Sequence, residues 1–214
     1  MKEIKSSKAS TFERYWGIIK NGLFLFGLRN RLAGIGLDFG PYYWVLEDAE
    51  PCEIPKIKGD DSNFTLRYLN LEEMMQVAHV KSGREYEKLV DGMKRGQLCI
   101  ALEDHSEIAA YMFIELNDFD VGGRTFEIKS NEAYLLNMWT FHGYRGRNLA
   151  PYLRYKSYRL LDERGRTDKY SITDYFNKSS IKFKNKLKAK HLYLYLNIIL
   201  FRKFKWNFTL KKLD

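Results

Sequence analysis

Between Thr11 and Gly34 apolar residues recur at 12, 16, 19, 23 and 26, the spacing of one helix face, and Thr11 is placed to cap it. Gly17, Gly22 and Gly27 weaken that helix by up to ~1 kcal/mol each, so it needs a surface to fold on. That surface is the domain itself, a partner chain, a second copy, or a membrane facing Lys20, Arg29 and Arg31. Residues 34–62 carry Gly34, Gly36, Gly40, Pro41, Pro51, Pro55 and Gly59 and read as an irregular connection.

From Asn63 onward the pattern alternates between period two and period 3.6. It predicts strands at 64–69, 97–103, 108–116, 126–130, 132–141, 170–173, 191–201 and 204–210. Helices are expected at 71–78, 84–95, 151–164 and 177–187, with Asn70 capping the first and Gly96 and Gly165 ending the second and third. The chain thus divides into an N-terminal extension, 1–62, with an amphipathic helix and an irregular segment, and an α/β domain, 63–214.

The 214 residues suit one such domain with an extension. Cys52 and Cys99 form no CxxC motif and the four histidines are scattered, so no metal site is expected and a reduced, cytoplasmic setting is the simplest reading. The apolar run 22–28 is far shorter than the ~20 residues of a membrane span, which leaves peripheral contact through the N-terminal helix as the membrane option. Charge is placed unevenly. Residues 178–214 hold eleven Lys or Arg and one acid, Asp214, for +10; the whole chain carries +9, so the first 177 residues sum to −1. An anionic partner near the C-terminal part follows: a phosphorylated cofactor, an acidic carrier protein, a membrane or nucleic acid. Aromatic residues interleave with these lysines, as on a single-strand nucleic-acid surface. Leu192, Leu194 and Leu196 nevertheless share one side and Tyr193 and Tyr195 the other, so a half-buried hairpin is expected instead of a nucleic-acid site.

The segment Met138-Trp139-Thr140-Phe141-His142-Gly143-Tyr144-Arg145-Gly146-Arg147-Asn148-Leu149-Ala150-Pro151 runs from a strand through a basic loop into a helix. A helix start offers N–H groups without partners and a partial positive charge, and Arg145 and Arg147 add forked donors, so the segment is an anion site by construction. No Gly-x-Ser-x-Gly elbow, P-loop lysine or fixed carboxylate pair occurs.

Arg145-Gly146-Arg147-Asn148-Leu149-Ala150 resembles the pyrophosphate loop of the GNAT superfamily of N-acyltransferases, Arg/Gln-x-x-Gly-x-Gly/Ala, with Asn148 standing where glycine is usual. Asn177-Lys178-Ser179-Ser180 resembles the start of that family's last helix, and the predicted order of elements agrees from 63 to 210. The resemblance implies a mixed central sheet flanked by helices and acetyl-coenzyme A as co-substrate. Residues 145–150, Leu149 and Ala150 included, would hold the pyrophosphate, Met138 and Thr140 the pantetheine strand, and Asn177 the cofactor arm. It further implies acetyl transfer to a primary amine of a small molecule by direct attack in a ternary complex. Long acyl chains delivered by coenzyme A or an acidic acyl carrier protein are the alternative, as is a non-catalytic module on an anionic surface. Where many members carry a tyrosine acid, this chain has Lys184; Tyr175 is the substitute acid. The amine must lose a proton before it attacks, for which Glu132, Asp174 and His142 are the candidates.

Overall fold

The computed structural model describes residues 24–59, 63–78 and 84–213. In chain order the elements are α1 (Phe24–Gly34), β1 (Leu37–Glu47), β2 (Phe64–Leu69), α2 (Leu71–Ala78), α3 (Arg84–Lys94), β3 (Leu98–Asp104) and β4 (Glu107–Glu115). They continue with β5 (Phe119–Val121), β6 (Arg124–Phe126), β7 (Glu132–Thr140), α4 (Leu149–Asp162), β8 (Asp168–Asp174), α5 (Lys178–Lys186), β9 (Lys190–Leu200) and β10 (Phe204–Lys212). Eight strands form one mixed sheet in the order β10-β9-β1-β8-β7-β4-β3-β2, and β5 and β6 form a separate hairpin. Among the described residues the pair β7–β8 is parallel and the other neighbours are antiparallel. The expected mixed sheet with flanking helices is therefore the observed one. The part of the N-terminal helix before Phe24 lies outside the described residues.

Two expectations are corrected; the strand expected at 126–130 is instead Arg124–Phe126, paired with Phe119–Val121 in a hairpin. Residues 37–47, read as irregular chain, form strand β1 between β8 and β9. Gly40 and Pro41 misled the reading, and both are explained by place. Pairing with β8 begins at Tyr42, so Pro41 lies beyond the end of that ladder and its missing N–H is not needed on that side. Gly40 lies under the guanidinium of Arg29, which a Cβ at this position would meet at 2.1 Å. Arg29 pairs with Asp38 (Nε–Oδ1 2.7 Å) and also with Asp174, which pins α1 to the ends of β1 and β8.

The sheet buries two apolar layers. On one face α4 packs Leu149, Leu153, Tyr158 and Leu161 against Ile100, Leu102, Met112, Ile114 and Leu135. On the other, α2 and α3 cover Cys99, Ala101, Tyr111 and Phe113. The hairpin β5–β6 lies on the same side further along, where Trp44 stacks on Phe126 at 4.4 Å and Tyr170 at 5.0 Å, and Phe119 on Tyr134 at 4.0 Å. Stacked rings at these separations hold the hairpin without long strands of its own.

Candidate active site: a wedge between β7 and β8

β7 and β8 pair only at Glu132–Asp168, Ala133–Lys169 and Tyr134–Tyr170. Beyond Tyr134 the two strands part, and the side of β7 facing β8 has no strand partner. The same stretch is bulged. Between the pairs Tyr111–Trp139 and Phe113–Leu136, β4 has one residue and β7 has two, Asn137 and Met138, with Asn137 at φ 49°. A bulge turns backbone groups out of the ladder, and asparagine tolerates the left-handed backbone it needs. The wedge opens toward the start of α4.

At that opening the chain turns through His142–Tyr144 and enters α4 with Gly146 at φ 83° and Asn148 at φ 66°. Asn148 is the N-cap residue yet makes no capping hydrogen bond; its Nδ2 donates to the carbonyl of Lys56 at 2.8 Å. The first N–H groups of a helix have no intrahelical acceptor, and among the described residues none takes those of Gly146, Asn148, Leu149 and Ala150. Open space surrounds Gly146. Unpartnered N–H donors, the helix dipole and the left-handed glycine together fit a pyrophosphate. The two arginines are held otherwise than expected. Arg147 donates to the carbonyl of Lys58 at 3.2 Å, stacks over Phe64 at 4.9 Å and stands 3.8 Å from Asp104, while Arg145 donates to the carbonyl of Thr140 at 3.2 Å and lies over Trp139. An anion placed here would be met by main-chain donors, and Arg145 would have to let go of Thr140 for a pantetheine arm to pair there.

The floor of the wedge is a buried charged cluster. Glu47 of β1 accepts from Tyr158 Oη at 2.5 Å and from Ser171 Oγ; Lys184 Nζ donates to Ser171 Oγ and stands 3.5 Å from Glu47. Burial pushes the Lys184 ammonium down to about 8, with Glu47 opposing and Arg154 reinforcing the fall. Burial raises the Glu47 carboxyl, but Arg154, Lys184 and its hydrogen bonds outweigh this and hold it below the usual range. Arg154 is itself buried, with its ring neighbour Phe183 at 5.8 Å, and its Nε and Nη1 take no hydrogen bond; neither does Thr173 Oγ1 on the parted stretch of β8. Buried donors left without partners are costly, and these flank the gap where a polar arm would lie.

Of the acid–base candidates, the wedge gathers few. Glu132 stands at the opposite end of β7 from Thr140, eight residues or roughly 26 Å away at ~3.3 Å per residue, and its carboxylate accepts from the N–H of Lys129. Asp174 is tied to Arg29 and to the N–H of Phe176 (2.9 Å). Tyr175 is exposed and leans toward Tyr43, 5.5 Å between rings. His142 is exposed in the turn before α4. Lys184 is neither at the surface nor free, since its donors go to Ser171, Glu47 and the carbonyl of Ile172. Asn177 caps α5 by accepting from the N–H of Ser180 at 3.0 Å.

On the opposite face, Tyr134 and Leu136 of β7 line a cavity of about 410 Å³ together with Arg95, Gln97, Glu115, Asp118, Phe119, Asp120 and Val121. Three carboxylates against one guanidinium make it an acidic room at the edge of the wedge. Glu115 is fully engaged, by Gln97, Asn117 and two main-chain N–H groups. Each of Asp118 and Asp120 bonds through one oxygen, to the N–H of Ile128 and the hydroxyl of Thr125. No motif marks these residues in the sequence; the cavity exists only because the hairpin β5–β6 folds back over β7.

Neither a family model nor a curated protein matches the sequence. Solved structures do match in shape. An acetyltransferase of the GNAT family from Colwellia psychrerythraea superposes with TM-score 0.54 at 11% identity, covering 81% of this chain and 61% of that one. A tandem GNAT protein from the clavulanic acid biosynthesis pathway gives 0.53 at 12%, covering 88% and 60%. A GCN5-related glucosamine N-acetyltransferase region of a fungal multi-domain beta-N-acetylglucosaminidase gives 0.57 at 11%, covering 82% and 23%. This chain thus spans about three fifths or less of these proteins. At such identities the likeness is one of fold, and the fold is that of the GNAT N-acetyltransferases.

Proposed function

We propose that the protein is an N-acyltransferase that takes an acyl group, acetyl in the first instance, from a coenzyme A thioester and passes it to a primary amine of a small molecule. The observation that carries this reading is the wedge: a strand pair that parts after three residues, edged by a bulged and unpartnered stretch of β7, opening onto the N–H groups of a helix start. The thioester supplies an activated acyl carbonyl. The chain's own part is to hold the pyrophosphate on the N–H groups of 146–150, to pair the arm with Met138 and Thr140, and to offer Arg154 and Thr173 as donors inside the gap.

The acidic cavity supports an amine that arrives as a cation. Its carboxylates favour the protonated form, so a proton must leave before attack, and Asp118 and Asp120, each with one oxygen uncommitted among the described residues, are placed to take it through water. Direct attack is supported by the state of the thiols. Cys99 is buried against Met74, with Sγ–Sδ 3.7 Å, and burial pushes its thiol up; burial, then Asp48, does the same to Cys52. Neither is a poised nucleophile.

The test is thermal unfolding with coenzyme A, acetyl-coenzyme A and a long-chain acyl-coenzyme A. A ligand at 100 times its Kd adds about 2.7 kcal/mol, a shift of several degrees. Gly146→Val, which puts a β-branched residue at φ 83°, should abolish the shift. No shift with any coenzyme A species would sink the reading. The exposed lysines Lys178, Lys182 and Lys186 of α5, which packs against β8, support a second donor, an acyl group on an acidic carrier protein. Turnover with it would exceed that with acetyl-coenzyme A and fall with salt.

A further inference from the structure

Beyond Glu47 and Val45, which α4 and α5 cover, the half of the sheet past β8 has a face that nothing among the described residues covers. On the α4 and α5 side, β1, β9 and β10 align apolar residues in rows: Leu37–Leu200–Phe204, Phe39–Ile198–Trp206 and Pro41–Leu196–Phe208. Phe39, Phe204, Trp206 and Phe208 are exposed, as α5 stops short over β8 and β1. A contiguous apolar face of this kind on a folded chain marks a contact surface.

The turn that closes β9 and β10 points the same way. Phe201 and Arg202 occupy its two central positions at φ 53° and 59°, with Lys203 N–H bonded to the carbonyl of Leu200 at 3.1 Å. Such a turn favours Asn-Gly, since both residues take the left-handed backbone. A phenylalanine there is strained, and it stands 73% exposed at the tip, beside Ile35 at 72%. The N–H of Phe201 bonds to the carbonyl of Gly36, which brings the two side chains to one end of the molecule. The fold gains nothing from an aromatic ring in that place.

Cations rim this face. Arg202 and Lys203 flank the tip, Lys178, Lys182 and Lys186 line α5, and Lys211 ends the β10 side; all are exposed. Residues 178–213 contain no acid. Two copies set face to face would bring these six cations against six more, which opposes self-association, whereas a surface that is apolar inside and anionic at its headgroups matches the patch in both respects. We propose that the β1–β9–β10 face and its Phe201 tip dock on an anionic lipid bilayer, with Phe201, Phe204 and Trp206 at headgroup depth and the lysines on the phosphates.

Co-sedimentation of the full chain with vesicles of phosphatidylcholine and phosphatidylserine, and of phosphatidylcholine alone, tests this without substrate. Binding to the anionic vesicles that weakens with salt is expected. Phe201→Asn, which suits the turn better than the native residue, and Trp206→Ser should each reduce the partition coefficient roughly tenfold, while Phe201→Asn leaves the melting temperature unchanged or raised. Equal partition of the native chain and both variants would overturn the assignment, as would equal binding to the neutral vesicles. Absence of binding at low salt would overturn it too, and a concentration-dependent dimer dissolved by Trp206→Ser would give the face to a second copy.

Discussion

The two halves of the sheet are clothed differently. β2, β3, β4 and β7 carry helices on both sides, α4 on one and α2 and α3 on the other. β9, β10 and the first part of β1 carry α1 and the β5–β6 hairpin on one side and, among the described residues, nothing on the other; only the end of β1, at Val45 and Glu47, is buried beneath α4 and α5. Both halves are built from strands that present an apolar face, so the difference lies in what the connections supply. Long crossings between β2 and β3 and between β7 and β8 contain helices that fold back over the first half, while β9 and β10 are joined by three residues, 201–203, that can cover nothing. The proposed site lies on the boundary, where a three-pair seam joins the half covered on both sides to the half with an unpartnered face.

That contrast can be broken or sharpened. Phe113→Ala, at a residue with no exposure in the clothed half, should cost about 3–5 kcal/mol in urea unfolding. Glu47→Gln, at the seam, leaves Lys184 and Arg154 buried together without a carboxylate and should cost about 3–5 kcal/mol, part of it recovered by adding Lys184→Met. The pH dependence of Lys184 has a defined sign. The unfolded chain holds the Lys184 proton up to 10.5 and the folded chain releases it at about 8, so between those values the unfolded state binds more protons and the native protein gains stability relative to Lys184→Met as pH rises. Glu47 works at the acid end. Its depressed carboxyl contributes stability that is present above 4.5 and is lost as pH falls through the lower folded value, a loss that Glu47→Gln should not show. Gly40→Val, which displaces Arg29 from both its acids, should cost about 1–3 kcal/mol. Phe208→Ser, on the bare face, should fall within roughly 0.5 kcal/mol of the native protein. A cost there as large as for Phe113→Ala would mean the face is covered after all.

Periodicity made most of the sheet legible. The strand 64–69 and helix 71–78 have the bounds the alternation predicts, because local pattern and tertiary placement agree there. β1 was illegible because glycine and proline signal irregular chain, and the exemptions that admit them, an arginine lying over Gly40 and a ladder that starts at Tyr42, are tertiary facts. The turn into α4 could be read, since an open helix start follows from the local pattern. Its side chains could not: Arg147 and Asn148 reach back 89 and 92 residues to the carbonyls of Lys58 and Lys56, and Arg147 also to Asp104. Lys184 read as a partner for a thiolate or as one lysine among six on a basic stretch. Only the meeting of Glu47, Ser171 and Tyr158, from three separate elements, makes it a buried member of a charged cluster.

The seam also bears on how the molecule breathes. With three parallel pairs between β7 and β8, the sheet is two leaves on a short backbone hinge, bridged on one face by the aromatic cluster of Trp44, Phe126, Tyr134 and Tyr195. Amide hydrogens in β3 and β4 should then exchange with one protection level and those in β9 with another, lower one. Anything that lodges in the gap ties one leaf to the other, and its arrival would register as two exchange classes merging into one.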